Sequence, residues 1–258
     1  YHPKTMLPIP AIAERWDTNK DSSVFTFHLR ENARFSNGDP ITAQDFVWSL
    51  RRALKPELAS RLSYMAYPVR YAQGFNEGSS FVRDVATGEF EVDKTSGFRR
   101  VVPASEVKPV PGREFVPIRA DDIGIEALDD HTLRYTLSQP SPYFVGMMAH
   151  QFFMVVHRKT IEQYGTEWTQ PEHIVSSGPF KLKEWVPYDR VVVERDSMYW
   201  NAASVRLKEI RFYPTDDNTT TMNLYKAGVI DAMQNHSVPM AWLDLIQPLK
   251  DYMDAPEL

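Results

Sequence analysis

Val24-Phe-Thr-Phe-His-Leu-Arg30, Ser36-Asn-Gly-Asp-Pro40 and Thr42-Ala-Gln-Asp-Phe-Val-Trp-Ser-Leu50 follow one another closely and set a strand, a reversal and a helix. In the first stretch Phe25, Phe27 and Leu29 alternate with Thr26, His28 and Arg30, the period-two pattern of a strand with one face in a core. His28 is expected on the exposed face. The second stretch is dense in residues that turn a chain. In the third, Thr42 is placed to cap a helix and Asp45 stands three residues on, the spacing of a capping box beside the positive helix end. Ala43, Phe46, Val47, Leu50, Ala53 and Leu54 recur at helical spacing. Arg51, Arg52 and Lys55 fall in the last turn, and Pro56 stops the helix.

The same patterns extend downstream. Ile123, Ile125 and Ala127 alternate, Asp129-Asp130-His131 turns, and Leu133, Tyr135 and Leu137 alternate again, which predicts a hairpin. A short helix is expected from Pro142 to His150, a buried strand at Met154-Val155-Val156 and another helix over 158–164. Strands are expected at Phe180-Lys-Leu182, Val191-Val-Val193 and Ile210-Arg-Phe-Tyr213. A helix over about 217–227 is closed by Gly228, followed by a strand at 229–233 and a helix opened by Pro239 that carries Met240, Leu243, Ile246 and Leu249. Strands and helices mix throughout, so the fold class is α/β or α+β.

Two regions read less simply. Residues 59–75 hold Tyr64, Tyr67 and Tyr71, a set that suits either core packing or the wall of a ligand cleft, because a tyrosine pairs an apolar body with a polar tip. Residues 76–121 carry many charges and Pro103, Pro109, Pro111 and Pro117, and are expected to be an insertion. Within it Phe90 and Val92 face Phe98 and Val101 in a small hairpin, and the remainder forms an extended surface arm.

Composition bounds the function. The chain has 258 residues, 43% hydrophobic and 24% charged, which is ordinary globular usage with room for one large or two modest domains. No apolar run approaches the roughly 18 residues of a membrane-spanning helix. A net charge of −5 argues against a nucleic-acid partner. The absence of cysteine removes disulfides, thiolate catalysis and cysteine-bound zinc. The opening residues Tyr1-His2-Pro3 show neither an initiator methionine nor a signal-peptide pattern, as expected of a processed chain or a fragment.

A search for catalytic chemistry finds none of the common signatures: no nucleophile elbow, no phosphate-binding glycine loop, no zinc-protease helix. The seven histidines include no pair three to five residues apart, so no metal site and no cofactor are expected. Asp121-Asp122, Asp129-Asp130 and Asp216-Asp217 read as turn and capping residues. A hydrolase with two carboxylates dispersed along the chain stays open as an alternative.

Several stretches together carry a specific resemblance. Ala11-Ile-Ala-Glu-Arg-Trp-Asp17, the strand ending Leu29-Arg30, and Ala33-Arg-Phe-Ser-Asn-Gly-Asp-Pro-Ile-Thr-Ala-Gln-Asp-Phe-Val-Trp-Ser49 are similar to the signature segment of family 5 extracellular solute-binding proteins, the oligopeptide and dipeptide receptors of bacterial ABC importers. Ala127-Leu-Asp-Asp-His-Thr-Leu133, Leu137-Ser-Gln-Pro-Ser-Pro-Tyr-Phe144, Ser177-Gly-Pro-Phe-Lys-Leu182, Tyr199-Trp-Asn201 and Tyr225-Lys-Ala-Gly-Val-Ile-Asp231 agree in order. Ile161-Glu-Gln-Tyr-Gly165 and Trp168-Thr-Gln-Pro171 bring the resemblance closer to the oligopeptide receptors.

The resemblance implies a partial fold of the type II periplasmic-binding-protein kind. Residues 1–156 would be the family's extra domain and residues 157–258 a central part of its first ligand-binding lobe, with the opposite lobe absent. It implies a monomeric, non-enzymatic receptor, periplasmic or anchored outside the membrane, that holds an extended peptide between lobes and delivers it to a membrane permease. The same fold also serves oligosaccharides, nickel chelates and other solutes, so the ligand stays open. By the same resemblance Tyr64 offers a hydroxyl to the ligand and Asn235 is an amide at the cleft edge.

Overall fold

Phe25, Phe27 and Leu29 are buried while Val24, Thr26 and His28 between them are only half-buried, and that alternation seats the first sheet. The computed structural model describes residues 2, 4–233 and 242–248. In chain order the first elements are β1 (Ala13–Thr18), β2 (Val24–Leu29), α1 (Ala43–Ala53) and α2 (Ala72–Asn76). Next come β3 (Ser80–Asp84), β4 (Val101–Val102), β5 (Arg113–Pro117), β6 (Ile125–Ala127) and β7 (Thr132–Thr136). After them lie α3 (Phe144–Met148), α4 (Arg158–Tyr164), β8 (Phe180–Val186), β9 (Arg190–Arg195), β10 (Glu209–Phe212), α5 (Asn218–Lys226) and α6 (Leu243–Ile246).

The main sheet is antiparallel with strand order β1-β2-β7-β6. Phe25 pairs with Tyr135 and Phe27 with Leu133, so the apolar alternations of the two strands coincide on one face. Helix α1 contributes Ala43, Val47 and Leu50 to the same core, Leu54 joins it just past the helix end, and Phe144 and Phe153 close it from the α3 side. Phe27 meets Tyr135 edge to face with ring centroids 5.8 Å apart, and Phe25 meets Phe144 at 5.2 Å. Burial pushes the Tyr135 phenol well above the usual tyrosine range. At the start of α1 the Asp45 carboxylate accepts both the N–H and the hydroxyl of Thr42 at 2.8 Å, as the capping spacing predicts.

A second sheet, β10-β9-β8, is a separate antiparallel unit. Helix α5 starts on Asp217, whose Oδ1 accepts the Thr220 N–H at 2.6 Å, and is followed by Gly228 at φ 70°. Hydrogen bonding to Thr220 holds the Asp217 carboxyl below the usual range.

Four sequence expectations need correction. Beyond the small hairpin, residues 76–121 are not an extended surface arm: β3 pairs with both β4 and β5 in a three-stranded antiparallel sheet. The expected hairpin is present, with Val92 bridged to Arg99 and the Asp93 and Arg100 N–H groups bound to the Phe98 and Glu91 carbonyls at 2.8 Å, while Val101 pairs instead with Phe81. Met154-Val155-Val156 is extended but joins no ladder. Val155 is buried, Met154 is exposed, and the Val156 N–H is satisfied by the Ser49 hydroxyl at 3.0 Å. Residues 229–233 form a turn segment rather than a strand, with Val229 exposed and its N–H bound to the Leu224 carbonyl. His28 is half-buried rather than exposed, and its Nε2 lies 2.8 Å from Asp17 Oδ2. Of the helix expected from Pro239, Leu243 to Ile246 is helical, and Pro239, Met240 and Leu249 lie outside the described residues.

Candidate functional site

Tyr64 sits on a 3-10 turn, Ser63–Ala66, between α1 and α2. The turn follows Ala59, which takes the left-handed conformation at φ 44° just after the chain leaves Pro56–Leu58. Ser63 and Ala66 are buried, so the turn is anchored from below, and the Tyr64 ring stands 57% exposed above it. Its backbone carbonyl accepts the Tyr67 N–H at 3.2 Å. Among the described residues its hydroxyl has no hydrogen-bond partner. This is the geometry of a ring offered to solvent with one donor and acceptor at its tip. Asn235, the second expected site residue, lies outside the described residues. Tyr67 and Tyr71 turn inward: the Tyr67 hydroxyl bonds Asn76 at 2.8 Å, and the Tyr71 hydroxyl accepts the Arg99 N–H at 2.8 Å.

An open cavity of about 550 Å³ lies between the segment Pro8–Ala13, the face of Trp16 and Phe27, and the loop residues Ser177–Pro179 and Tyr199–Asn201. Its lining is mostly apolar. The Arg30 guanidinium stacks 4.1 Å from the Trp200 ring centroid at its edge. Two buried polar atoms in this loop region have no partner among the described residues: the indole N–H of Trp200 and Oδ2 of Asp196, whose other oxygen accepts the Met198 N–H at 2.9 Å. Such a cavity can bury an apolar group of drug-like size. In the sequence Trp200 stands out only as part of the Tyr199-Trp-Asn201 motif, and Asp196 has no periodic signal that would mark it.

Asp39, His157 and Thr160 form a second constellation that the sequence did not reveal. His157 Nε2 lies 3.0 Å from Asp39 Oδ2 and its Nδ1 lies 2.7 Å from Thr160 Oγ1. The order carboxylate, imidazole, hydroxyl resembles a nucleophilic triad. Thr160, however, is buried on the first turn of α4, and His157 Nδ1 also accepts the Thr160 N–H as the helix cap, which leaves the hydroxyl no access to a substrate. The geometry is that of a joint. Lys159 adds its ammonium to Asp39 at 3.1 Å, and the same loop exchanges two hydrogen bonds between Ser36 and Ser176. Lys159 first, then His157, hold the Asp39 carboxyl below the usual range. Among the described residues no group of three or more histidine, aspartate or glutamate side chains is gathered as a metal site would need.

With this geometry in place, comparison with known proteins fixes the family. The family described as bacterial extracellular solute-binding proteins, family 5 Middle, matches residues 8–257, and the chain belongs to it. The periplasmic oligopeptide-binding protein OppA of Escherichia coli is 38% identical over 244 residues, covering 94% of this chain and 37% of that protein. The periplasmic murein peptide-binding protein MppA of Escherichia coli is 30% identical over 227 residues, covering 88% of this chain and 35% of that protein. A crystal structure of the oligopeptide-binding protein OppAIV from Borrelia burgdorferi superimposes with a TM-score of 0.74 at 32% identity, over 95% of this chain and 41% of that one. Haemophilus influenzae OppA in complex with the peptide RPPGFSPFR superimposes at 0.72 and 27% identity, over 92% of this chain and 39% of that one. The chain therefore has the partial α/β fold of these binding proteins and spans about two fifths of their length.

Proposed function

We propose that the chain forms part of a peptide receptor that works outside the cytoplasmic membrane as the solute-binding component of an ABC importer, handing ligand to a membrane permease. The observation that carries this reading is the 38% identity to an oligopeptide-binding protein across 94% of the chain. In this reading residues 1–156 are the family's extra domain, and residues 157–258 are a central part of the first ligand-binding lobe. The sheet β1-β2-β7-β6 with α1, and the separate sheet β10-β9-β8 further along, support that division. Tyr64, exposed and with a free hydroxyl tip, and Asn235 are the ligand residues. The rest of the interlobe cleft belongs to the portion of the relatives that this chain does not span. Among the described residues no helix is long and apolar enough to cross a membrane.

One relative favours a second reading. The probable deoxycholate-binding periplasmic protein YgiS of Escherichia coli is 30% identical over 223 residues, and the apolar cavity beside Trp200 suits a compact apolar solute. Native mass spectrometry separates the two. The chain is sprayed alone, with a mixed di- to pentapeptide pool, and with deoxycholate. Retained peptide masses, with a matching rise in Tm, support the peptide reading. Uptake of deoxycholate alone supports the second reading, and uptake of neither overturns both for this chain.

A further inference from the structure

The segment 76–121 has no role in the reading above, yet it is linked through α2 to the turn that carries Tyr64. The connection runs through a short series of hydrogen bonds. The Tyr67 hydroxyl donates to Asn76 Oδ1 at 2.8 Å, and Asn76 Nδ2 donates to the Leu54 carbonyl at 2.8 Å. Asn76 thus ties the far side of the Tyr64 turn to the C-terminal end of α1, where backbone carbonyls lack partners within the helix. Both arms of one amide are used, so only a side chain with an acceptor and a donor on the same carbon serves here.

Asn76 in turn is held, through α2, by the sheet that follows it. It ends α2, and α2 lies so close to the insertion sheet that a Cβ on Gly74 would come 2.6 Å from Ile118 Cδ1 and 3.3 Å from Val101 Cγ1. The helix is entered through Tyr71 in the left-handed conformation, φ 61°, a cost that a bulky residue bears only where its surroundings dictate it. Those surroundings are insertion residues. The Tyr71 ring packs against Phe81 at 4.9 Å and Phe98 at 6.2 Å, and its hydroxyl accepts the Arg99 N–H.

We propose that the 80–117 sheet is a brace for the ligand-contacting turn, and that Asn76 is the positioning residue through which it fixes Tyr64. This rests on Tyr64 being a ligand residue, as proposed above. It gives the insertion a purpose: with Tyr64 itself free of side-chain bonds, the direction of its ring depends on the Tyr67–Asn76–Leu54 tie beneath it.

The test uses Asn76→Ala, and Tyr67→Phe as a second cut of the same bond should the first variant fold poorly. Amide hydrogen exchange is read over residues 61–68 and over β2 and β7. Peptide affinity is read with and without the additional change Tyr64→Phe, so that the cycle reports whether Asn76 acts through Tyr64. The expected result is exchange in 61–68 faster by about tenfold with β2 and β7 unchanged. Peptide Kd is expected to rise about tenfold with Tyr64 present and less than about twofold when Tyr64→Phe is already in place. Unchanged exchange in 61–68, or an equal loss of affinity in both backgrounds, would overturn the brace. If exchange rises while even the unaltered chain binds no peptide, the sheet holds the turn in place, but its role in positioning a ligand residue falls with the peptide reading.

Discussion

Asp39 and His157 meet across 118 residues of sequence, Oδ2 to Nε2 at 3.0 Å, with the imidazole almost wholly buried. Because Nδ1 accepts the Thr160 N–H, the ring proton sits on Nε2 and is donated to the carboxylate. Asp39→Ala leaves that buried N–H without an acceptor and is expected to cost about 1–3 kcal/mol. Asp39→Asn keeps an oxygen for the ring and loses only attraction to Lys159, so it should cost less. Urea unfolding of the three proteins checks the order, and equal midpoints would show that the contact is incidental.

The same carboxylate predicts an acid limb. The Lys159 ammonium first, and His157 second, lower its pKa below the ordinary 3.8. A carboxylate depressed by folding adds stability that is present above its unfolded pKa and lost as pH falls through the folded one. Unfolding midpoints measured downward from about pH 5 should fall less steeply in Asp39→Asn than in the parent. Parallel curves would remove Asp39 from the acid response.

Gly124 marks where two chain segments approach too closely for any side chain. A Cβ there would lie 2.4 Å from the Thr136 carbonyl oxygen and 2.9 Å from Arg70 Cβ, while the Gly124 carbonyl accepts the Thr136 N–H at 2.8 Å. Gly124→Ala must push apart the β6–β7 hairpin and the segment entering α2, with an expected loss of about 1–3 kcal/mol. A Tm within a degree of the parent would show that the backbone yields freely.

The second sheet offers a different test. Trp185 and Phe212 both stand opposite Val191 in register, so the three share one face, and the two aromatics are 44% and 48% exposed. An apolar sheet face of this kind seeks cover. The chain alone is expected to bind an anilinonaphthalene dye there and to self-associate as concentration rises. Trp185→Lys with Phe212→Lys should lower both signals without unfolding the main sheet. Unchanged dye binding would place the apolar surface elsewhere.

How far the sequence reached follows from the range of the forces involved. The β2 alternation, the Thr42–Asp45 cap and the Asp217 start of α5 are set by residues a few positions apart, and all three stand as expected. The three apolar residues at 154–156 looked like a strand because periodicity cannot say whether a partner strand exists. Here the partner is one serine hydroxyl from α1. The β4-β3-β5 sheet was illegible for the same reason, since β3 and β5 are joined through a long intervening segment and their pairing has no local trace. Residue type marked Tyr64, Tyr67 and Tyr71 alike, and only the family resemblance set Tyr64 apart as a candidate. Nothing local announced that Tyr67 and Tyr71 point inward, or that Asp39 would find His157.

Tyr64 offers the sharpest separation of binding from folding. Its ring is more than half exposed and its hydroxyl is free of partners among the described residues, so Tyr64→Phe removes one oxygen that the folded chain does not use. Stability should stay within about 0.5 kcal/mol of the parent, the range of ordinary surface changes. If the hydroxyl bonds a peptide, its loss is worth about 0.5–1.5 kcal/mol, or roughly a twofold to tenfold rise in Kd. Tyr64→Ala should lose more, because the ring's apolar area goes as well. Calorimetric titration with a peptide that the chain retains, alongside thermal unfolding, gives both quantities from one preparation. A Kd unmoved by either change would take Tyr64 out of the ligand site, and a large fall in Tm with Tyr64→Phe would make the residue structural.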